Sequence, residues 1–319
     1  MGFFIEGVWN PDDSQSSSDG RYQRHVSSFR HSITADGSSG FKAEPGRYHL
    51  YVSHSCPWAQ RTVIFRELKG LSEVISLSVV DPVKGEEGWV FSDGPGCTPD
   101  TINGANKLGE VYLAAKANYT GRVTVPVLWD KKERTIVNNE SADIIRMMND
   151  AFDDVVGWRE DMYPEHLRSE IDAINGQVYE HVNNGVYKCG FASTQEAYAD
   201  AFAALFEALN DIELRLSRQR YLAGSQISEA DWRLFTTLIR FDPVYFGLFK
   251  CNLHRIADYP ALANYTRELY QVPGVAGTVD FEHIKRGYWN GMRHLNPTGI
   301  VPRGPALDFN APHNRAALS

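Results

Sequence analysis

The sequence has few cysteines and none close together. Cys56, Cys97, Cys189 and Cys251 stand far apart with no C-x-x-C pair. That spacing supports neither a disulfide framework nor a structural zinc site, and it points to a reducing cytoplasm. No run of about 18 uncharged apolar residues exists, so a membrane-spanning helix is excluded. Positive charge is scarce: 32 Lys and Arg against 40 Asp and Glu leave a formal charge of -8. The basic residues are not clustered, which argues against nucleic acid as a main partner. Residues 1–20 lack the basic region of a secretory signal, and Glu6, Asp12, Asp13 and Asp19 do not suit a transit peptide. Glu6 also breaks the myristoylation pattern. No internal repeat is visible.

What is present is a chain of 319 residues, 43% hydrophobic and 23% charged, enough for two soluble domains with ample core. Residues 1–43 are rich in Ser, Asp, Gly and Arg without a sustained period and read as an extended arm, pinned down by Tyr22, Arg24, Phe29 and Arg30. Residues 44–150 alternate between two periods. "RYHLYVSH" reads as a strand, Trp58, Thr62, Phe65 and Leu68 as a helix ended by Gly70, and "VISLSVV" as a second buried strand. Residues 81–121 are Gly-rich and long for a loop, with a short helical pattern from Leu108, and are expected to be a functional insertion. "VTVPVLWD" and "RTIVN" then predict a hairpin, and Ile144, Ile145 and Met148 a closing helix.

This order predicts a mixed sheet of βαβ-ββα type, the α/β thioredoxin-like arrangement, with Cys56 at the first strand-to-helix junction. After a linker near Val155 to Pro164, residues 151–293 read as all-α. Their clearest stripe is Tyr198, Phe202, Leu205, Leu209, Ile212 and Leu216, which is core. Ser228 and Asp231 predict a capping box. Residues 294–319 hold four prolines and no period, and are expected to be an irregular tail that packs back or fixes a partner subunit.

Cys56 can be an inert core thiol, half of a redox pair or a nucleophile. A thiolate at a helix N-terminus is stabilised by unpaired N–H groups and the helix dipole, and Pro57 suits the first helical position, which favours the nucleophile. Ala59 occupies the place of the second cysteine of a redox motif, so an external thiol must complete any reaction. Glutathione is the candidate. Pro126 inside a strand pattern suggests an edge or a cis turn that presents the Val125 backbone to a peptide-like ligand. Glu140 and Ser141 open the next helix. They are either an ordinary cap or groups that bind an amine and a carboxylate. His49 and His54 fall on opposite faces of their strand with no further ligand near, so no metal is expected. Tyrosines beside glycine or proline in "NNGVYKCGFAS", "FDPVYFGLFKCN" and "KRGYWNG" either pack a core or line a pocket for an aromatic substrate.

Seven blocks in order, "SCPWAQR", "GWVF", "GRVTVPVLWD", "NNESADI", "GVYKCGFA", "FDPVYFGLFKCN" and "HIKRGYWNGMRHLNPTGIVPRGP", resemble the glutathionyl-hydroquinone reductases, the Xi class of glutathione transferases. The resemblance covers nearly the whole chain, including "GRYQRHVSSFR". It implies that Cys56 is the nucleophile and that Trp89, Arg122, Val123, Thr124, Val125, Glu140 and Ser141 hold glutathione. It implies further that Tyr187 is a proton donor or acceptor and that Tyr245 and Tyr288 stabilise the thiolate. A homodimer and a glutathionyl-hydroquinone substrate follow from the same resemblance. Gln60 departs from the histidine of many relatives. The rival readings are an omega-like thioltransferase or dehydroascorbate reductase, which shares Cys56 but not the tyrosine set, and a non-catalytic binding module of the same architecture.

Overall fold

A computed structural model describes residues 2–11, 17–157 and 159–318. Among the described residues the elements run β1 (Phe3–Ile5), β2 (Val8–Asn10), β3 (Ile33–Thr34), β4 (Phe41–Lys42), β5 (Tyr48–Val52), α1 (Pro57–Leu68), β6 (Ser76–Val79), α2 (Leu108–Ala115), β7 (Gly121–Arg122), β8 (Val127–Asp130), β9 (Thr135–Asn138) and α3 (Ser141–Asp150). There follow α4 (Asp153–Val156), α5 (Arg168–Gln177), α6 (Gly185–Phe191), α7 (Gln195–Leu216), α8 (Glu229–Arg240), α9 (Phe246–Leu248), α10 (Pro260–Gln271) and α11 (Phe281–Lys285). The chain divides into two units. The first comprises residues 1–13, 25–160 and 278–292, and the second residues 14–24, 161–277 and 293–319. Residues 278–292, read from sequence with the helical domain, group with the first unit, and Asp12 and Asp13 lie outside the described residues.

The first unit is built on a four-stranded sheet in the order β6-β5-β8-β9, parallel between β5 and β6 and antiparallel elsewhere. Leu50 of β5 pairs with Leu77 on one side and Leu128 on the other. Every residue of β5 is buried, because helices α1 and α3 pack together on the sheet and the insertion packs in beside Tyr51. Asp100 of that insertion accepts a hydrogen bond from the Tyr51 hydroxyl at 2.8 Å and from the backbone N–H groups of Ile102, Asn103 and Ala105. A buried carboxylate is tolerated where donors surround it in this way. At the far end of β5, the Arg47 guanidinium grips the fully buried Asp130 carboxylate through Nε at 2.9 Å and Nη2 at 2.5 Å. Helix α1 stops where expected. Gly70 takes φ +67°, its N–H bonds the Glu67 carbonyl, and Leu71 bonds that of Arg66.

The start of the chain is more ordered than an arm. Glu6 and Gly7 both take positive φ and form a tight turn between β1 and β2, and β1 pairs in turn with β7. A three-residue strand offers too short a period to be read from sequence. Further along, Asn139 N–H bonds the Phe29 carbonyl and His31 N–H that of Val137, so residues 29–31 run along the free edge of β9. Arg30 closes the contact with a bidentate bond to Asp143.

In the second unit, α7 buries Leu205, Leu209 and Leu216 of its predicted stripe, while Tyr198, Phe202 and Ile212 are half-buried. Asp231 returns a hydrogen bond to the Ser228 N–H at 2.8 Å and also accepts from the Leu222 N–H and the Tyr265 hydroxyl. The capping box thus ties two further segments to α8. The tail packs back onto its own unit. The buried Arg315 side chain donates to the Leu216 and Gln219 carbonyls at 2.5 and 2.7 Å, and Gln271 donates to the carbonyls of Phe309 and Ala311.

Candidate active site

Cys56 caps the N-terminus of α1 with extended backbone, φ -84° and ψ 121°, and Pro57 follows at the first helical position. Its thiol is half-buried and lies 3.7 Å from the Val125 carbonyl oxygen. The Val125–Pro126 bond is cis, and Pro126 directly precedes β8 instead of lying within it. The strand begins at Val127, four residues later than the apolar pattern from Val123 suggested, because proline offers no N–H to the ladder.

The backbone beside the sulfur is held from behind. The buried Tyr112 hydroxyl donates to the Thr124 carbonyl at 2.9 Å and accepts from the Thr124 N–H at 3.2 Å, and Asn139 Nδ2 donates to both Tyr112 and the Thr124 hydroxyl. Burial pushes the Tyr112 phenol well above its ordinary value, so it stays a neutral donor. Val123 and Val125 are buried, and Arg122 is half-buried in β7. Glu140 caps α3: its Oε1 accepts from the Ala142 N–H at 3.2 Å, and its Oε2 accepts from the Ser27 hydroxyl at 2.9 Å. Ser141 is buried, with its hydroxyl 3.5 Å from Arg61 Nη1. The ordinary capping role is therefore filled, with the Asp143 and Ile144 N–H groups bonded to the Glu140 carbonyl, and it sets a carboxylate beside the Ser141 hydroxyl, side chains of the types suited to one amino and one carboxylate group.

Trp89 is buried in the insertion, where its carbonyl accepts from the Leu108 N–H at the start of α2. The Lys84 ammonium sits 4.3 Å from the Trp89 ring centroid. Tyr288 is buried in a wide helical turn at Arg286–Asn290. That turn reaches the cysteine loop at Gly287, where a Cβ would stand 2.5 Å from the Ser55 Cβ, so only glycine fits. Cys56, residues 122–125, Glu140, Ser141, Trp89 and Tyr288 all belong to the first unit, and the Val125 carbonyl is the one of these groups seen against the thiol.

Tyr187 and Tyr245 belong to the second unit. Tyr187 in α6 stands 6.1 Å from Tyr245 and 5.5 Å from Phe249 by ring centroid, and it stacks on Tyr22 of residues 14–24. Tyr245 is fully buried and stacks on Phe249. Among the described residues no group of three or more His, Cys, Asp or Glu is arranged to hold a metal ion, and no helix is long and apolar enough to cross a membrane.

Sequence reasoning missed Ser27, Tyr112, Asn139 and Lys84. Nothing marks Ser27 within its run of polar residues, and Lys84, beside Glu86 and Glu87, has the look of a solvated loop.

A thioredoxin-like unit with one cysteine at the head of its first helix, followed by an all-helical unit, defines the class of glutathione transferases. Residues 55–151 match the glutathione S-transferase N-terminal domain family and residues 195–268 the C-terminal domain family. The chain is 52% identical to the glutathionyl-hydroquinone reductase YqjG of Escherichia coli K12, over 99% of this chain and 98% of that protein. It is likewise 52% identical to the glutathionyl-hydroquinone reductase PcpF of Sphingobium chlorophenolicum, over 96% and 97%. Among solved structures, the Xi class transferase of Natrialba magadii superposes with a TM-score of 0.95 at 46% identity, covering 100% of this chain and 98% of that one. Glutathione-bound YqjG superposes at 0.92 with 51% identity, covering 99% of both. The chain belongs to the Xi class of glutathione transferases, the glutathionyl-hydroquinone reductase family.

Proposed function

We propose that this protein reductively removes glutathione from glutathionyl-hydroquinones, with glutathione as co-substrate. The observation that carries this reading is the lone half-buried thiol of Cys56 at the N-terminus of α1, with Ala59 where a resolving cysteine would stand. The Cys56 thiolate attacks the sulfur of the aryl thioether. The carbon–sulfur bond breaks, the aryl carbon takes the bonding pair and a proton, and a Cys56–glutathione disulfide forms. A second glutathione thiolate then attacks the glutathione sulfur of that disulfide, releasing glutathione disulfide and the Cys56 thiolate. The ring carbon is reduced, and the thioether sulfur of the substrate's glutathionyl group and one free glutathione thiol are oxidised together to glutathione disulfide.

In this reading Trp89 and residues Arg122, Val123, Thr124 and Val125 hold the glutathione backbone, Glu140 pairs with its amino group, and Ser141 binds the adjacent carboxylate. As the family resemblance implies, Tyr187 acts as proton donor or acceptor, and Tyr245 and Tyr288 favour the thiolate. We further propose a homodimer in a reducing, cytoplasmic setting, the dimer to be checked by light scattering.

The test is turnover of a synthetic glutathionyl-hydroquinone with glutathione. Wild type is expected to turn over and Cys56→Ala to lose on the order of a thousandfold or more. Full activity in the variant ends the nucleophile assignment. An inactive wild type that reduces dehydroascorbate or mixed disulfides instead favours a thioltransferase.

A further inference from the structure

Thr124 lies between β7 and β8, outside both strands, and a side chain does there what a neighbouring strand does elsewhere. The Tyr112 hydroxyl accepts from the Thr124 N–H at 3.2 Å and donates to the Thr124 carbonyl at 2.9 Å. That is the two-way exchange made by a hydrogen-bonded pair of an antiparallel ladder. Two residues earlier, the Tyr119 hydroxyl donates to the Arg122 carbonyl at 2.8 Å and lies 3.2 Å from the Ser28 hydroxyl. The next carbonyl after Thr124, that of Val125, meets the Cys56 thiol instead, at 3.7 Å.

Tyr112 and Asn139 spend their whole hydrogen-bonding capacity on this arrangement. A phenol hydroxyl has one proton and two lone pairs. Here the proton goes to the Thr124 carbonyl, and the lone pairs take the Thr124 N–H and the Asn139 amide at 3.1 Å. Asn139 Nδ2 also reaches the Thr124 hydroxyl at 3.3 Å, while its Oδ1 accepts from the Phe29 N–H at 3.0 Å. The residue after Asn139 is Glu140, whose Oε2 accepts from Ser27. Both Tyr112 and Asn139 are buried, and a buried network with every member paired fixes one geometry. Helix α2, which carries Tyr112, is seated close on β1: a Cβ at Gly109 would stand 3.1 Å from the Phe4 ring.

On the reading above that residues 122–125 and Glu140 hold glutathione, we propose that Tyr112, held by Asn139, is a positioning residue for glutathione. It fixes the backbone of residues 122–125 in the form that receives the tripeptide, and it ties that segment to the one carrying Glu140. Removing the hydroxyl leaves a buried N–H, a carbonyl and an amide proton without partners, and the segment must turn to regain them. The bonds that form and break in the reaction involve none of these groups. The loss therefore falls on binding.

The experiment measures the Kd of glutathione by calorimetry for wild type, Tyr112→Phe, Asn139→Asp and the double variant, and kcat with a glutathionyl-hydroquinone. In Tyr112→Phe the Kd should rise about three- to tenfold, with kcat at saturating glutathione within about twofold of wild type. Asn139→Asp keeps the acceptor for Phe29 but replaces the amide donor with a carboxylate that competes for the phenol proton, so binding should weaken to a similar extent. In the double variant the rise should fall short of the product of the two single rises, because both changes break one network. Should Tyr112→Phe fail to fold, Asn139→Asp carries the same comparison of Kd against kcat. A wild-type Kd in Tyr112→Phe overturns the inference while leaving the glutathione site intact. So does a fall in kcat as large as the loss of affinity, which would mark general disturbance of the unit, and so do single effects that multiply in full. A wild type that binds no glutathione ends the functional reading itself, and this inference with it.

Discussion

The Sγ of Cys56 and the carbonyl oxygen of Val125 stand 3.7 Å apart across 69 residues of chain. One belongs to a helix N-terminus and the other to the segment leading into β8, so the thiol faces backbone able to pair with an extended peptide. Glutathione is such a peptide, with a thiol of its own, and Cys56 lacks a second cysteine one helical turn away.

Restoring that second cysteine should divert the chemistry. Ala59 is fully buried in the first turn of α1. In Ala59→Cys, the introduced thiol is expected to attack the Cys56–glutathione disulfide and close an intramolecular disulfide. Quenched samples examined by peptide mapping should show this bond, together with severalfold slower turnover. Persistence of the mixed disulfide at wild-type levels would show that a thiol at position 59 does not reach it, and would overturn the account of Ala59 as the place of the missing resolving cysteine.

Tyr288 lies buried in the turn that Gly287 fastens to Ser55. If its phenol donates a hydrogen bond to the thiolate, Tyr288→Phe moves the iodoacetamide profile of Cys56 to higher pH, by roughly one unit for the loss of one charge-assisted bond. An unchanged profile removes Tyr288 from this role and leaves it a packing residue.

Ser27, in the segment before β3, donates to Glu140 Oε2 at 2.9 Å. Ser27→Ala frees that carboxylate to turn away from the position in which we propose that it receives the glutathione amino group. The KM for glutathione should rise about three- to tenfold while kcat changes little, the loss being about one hydrogen bond. Equal effects on kcat and KM would point to general disturbance of the segment.

His49 sets an acid limit on the first unit. The ring is buried and pairs through Nδ1 with the Ser76 hydroxyl at 2.7 Å. Burial lowers its pKa from 6.5 to about 4, with Asp100 opposing and Lys131 and Arg66 assisting. The unfolded chain therefore binds this proton more readily. The contribution to stability is complete above about pH 6.5 and is lost as pH falls toward 4, amounting to about 3 kcal/mol. Urea unfolding at pH 7 and pH 4.5 should show a smaller acid loss in His49→Gln than in wild type. An equal loss in both would assign the acid sensitivity to other groups.

Much of this protein is local in origin and was legible as such. The strand before Cys56, the helix after Pro57, the stop at Gly70, the hairpin of β8 and β9 and the cap at Ser228 each depend on neighbouring residues, and each is present. The placement of β1 was not legible, because its partner β7 lies far along the chain and three residues carry no period.

Sequence alone determined that one cysteine heads a helix without a local thiol, because capping and spacing are properties of a few consecutive residues. Only the tertiary structure decided which distant residues of the first unit meet. Val125, Ser27 behind Glu140, Tyr112 behind Thr124, Gly287 against Ser55 and Lys84 over Trp89 are long-range contacts or turn geometries, set by how the sheet, the insertion and the last helical turn pack. Side-chain chemistry names the residues that can react. Packing chooses which of them meet.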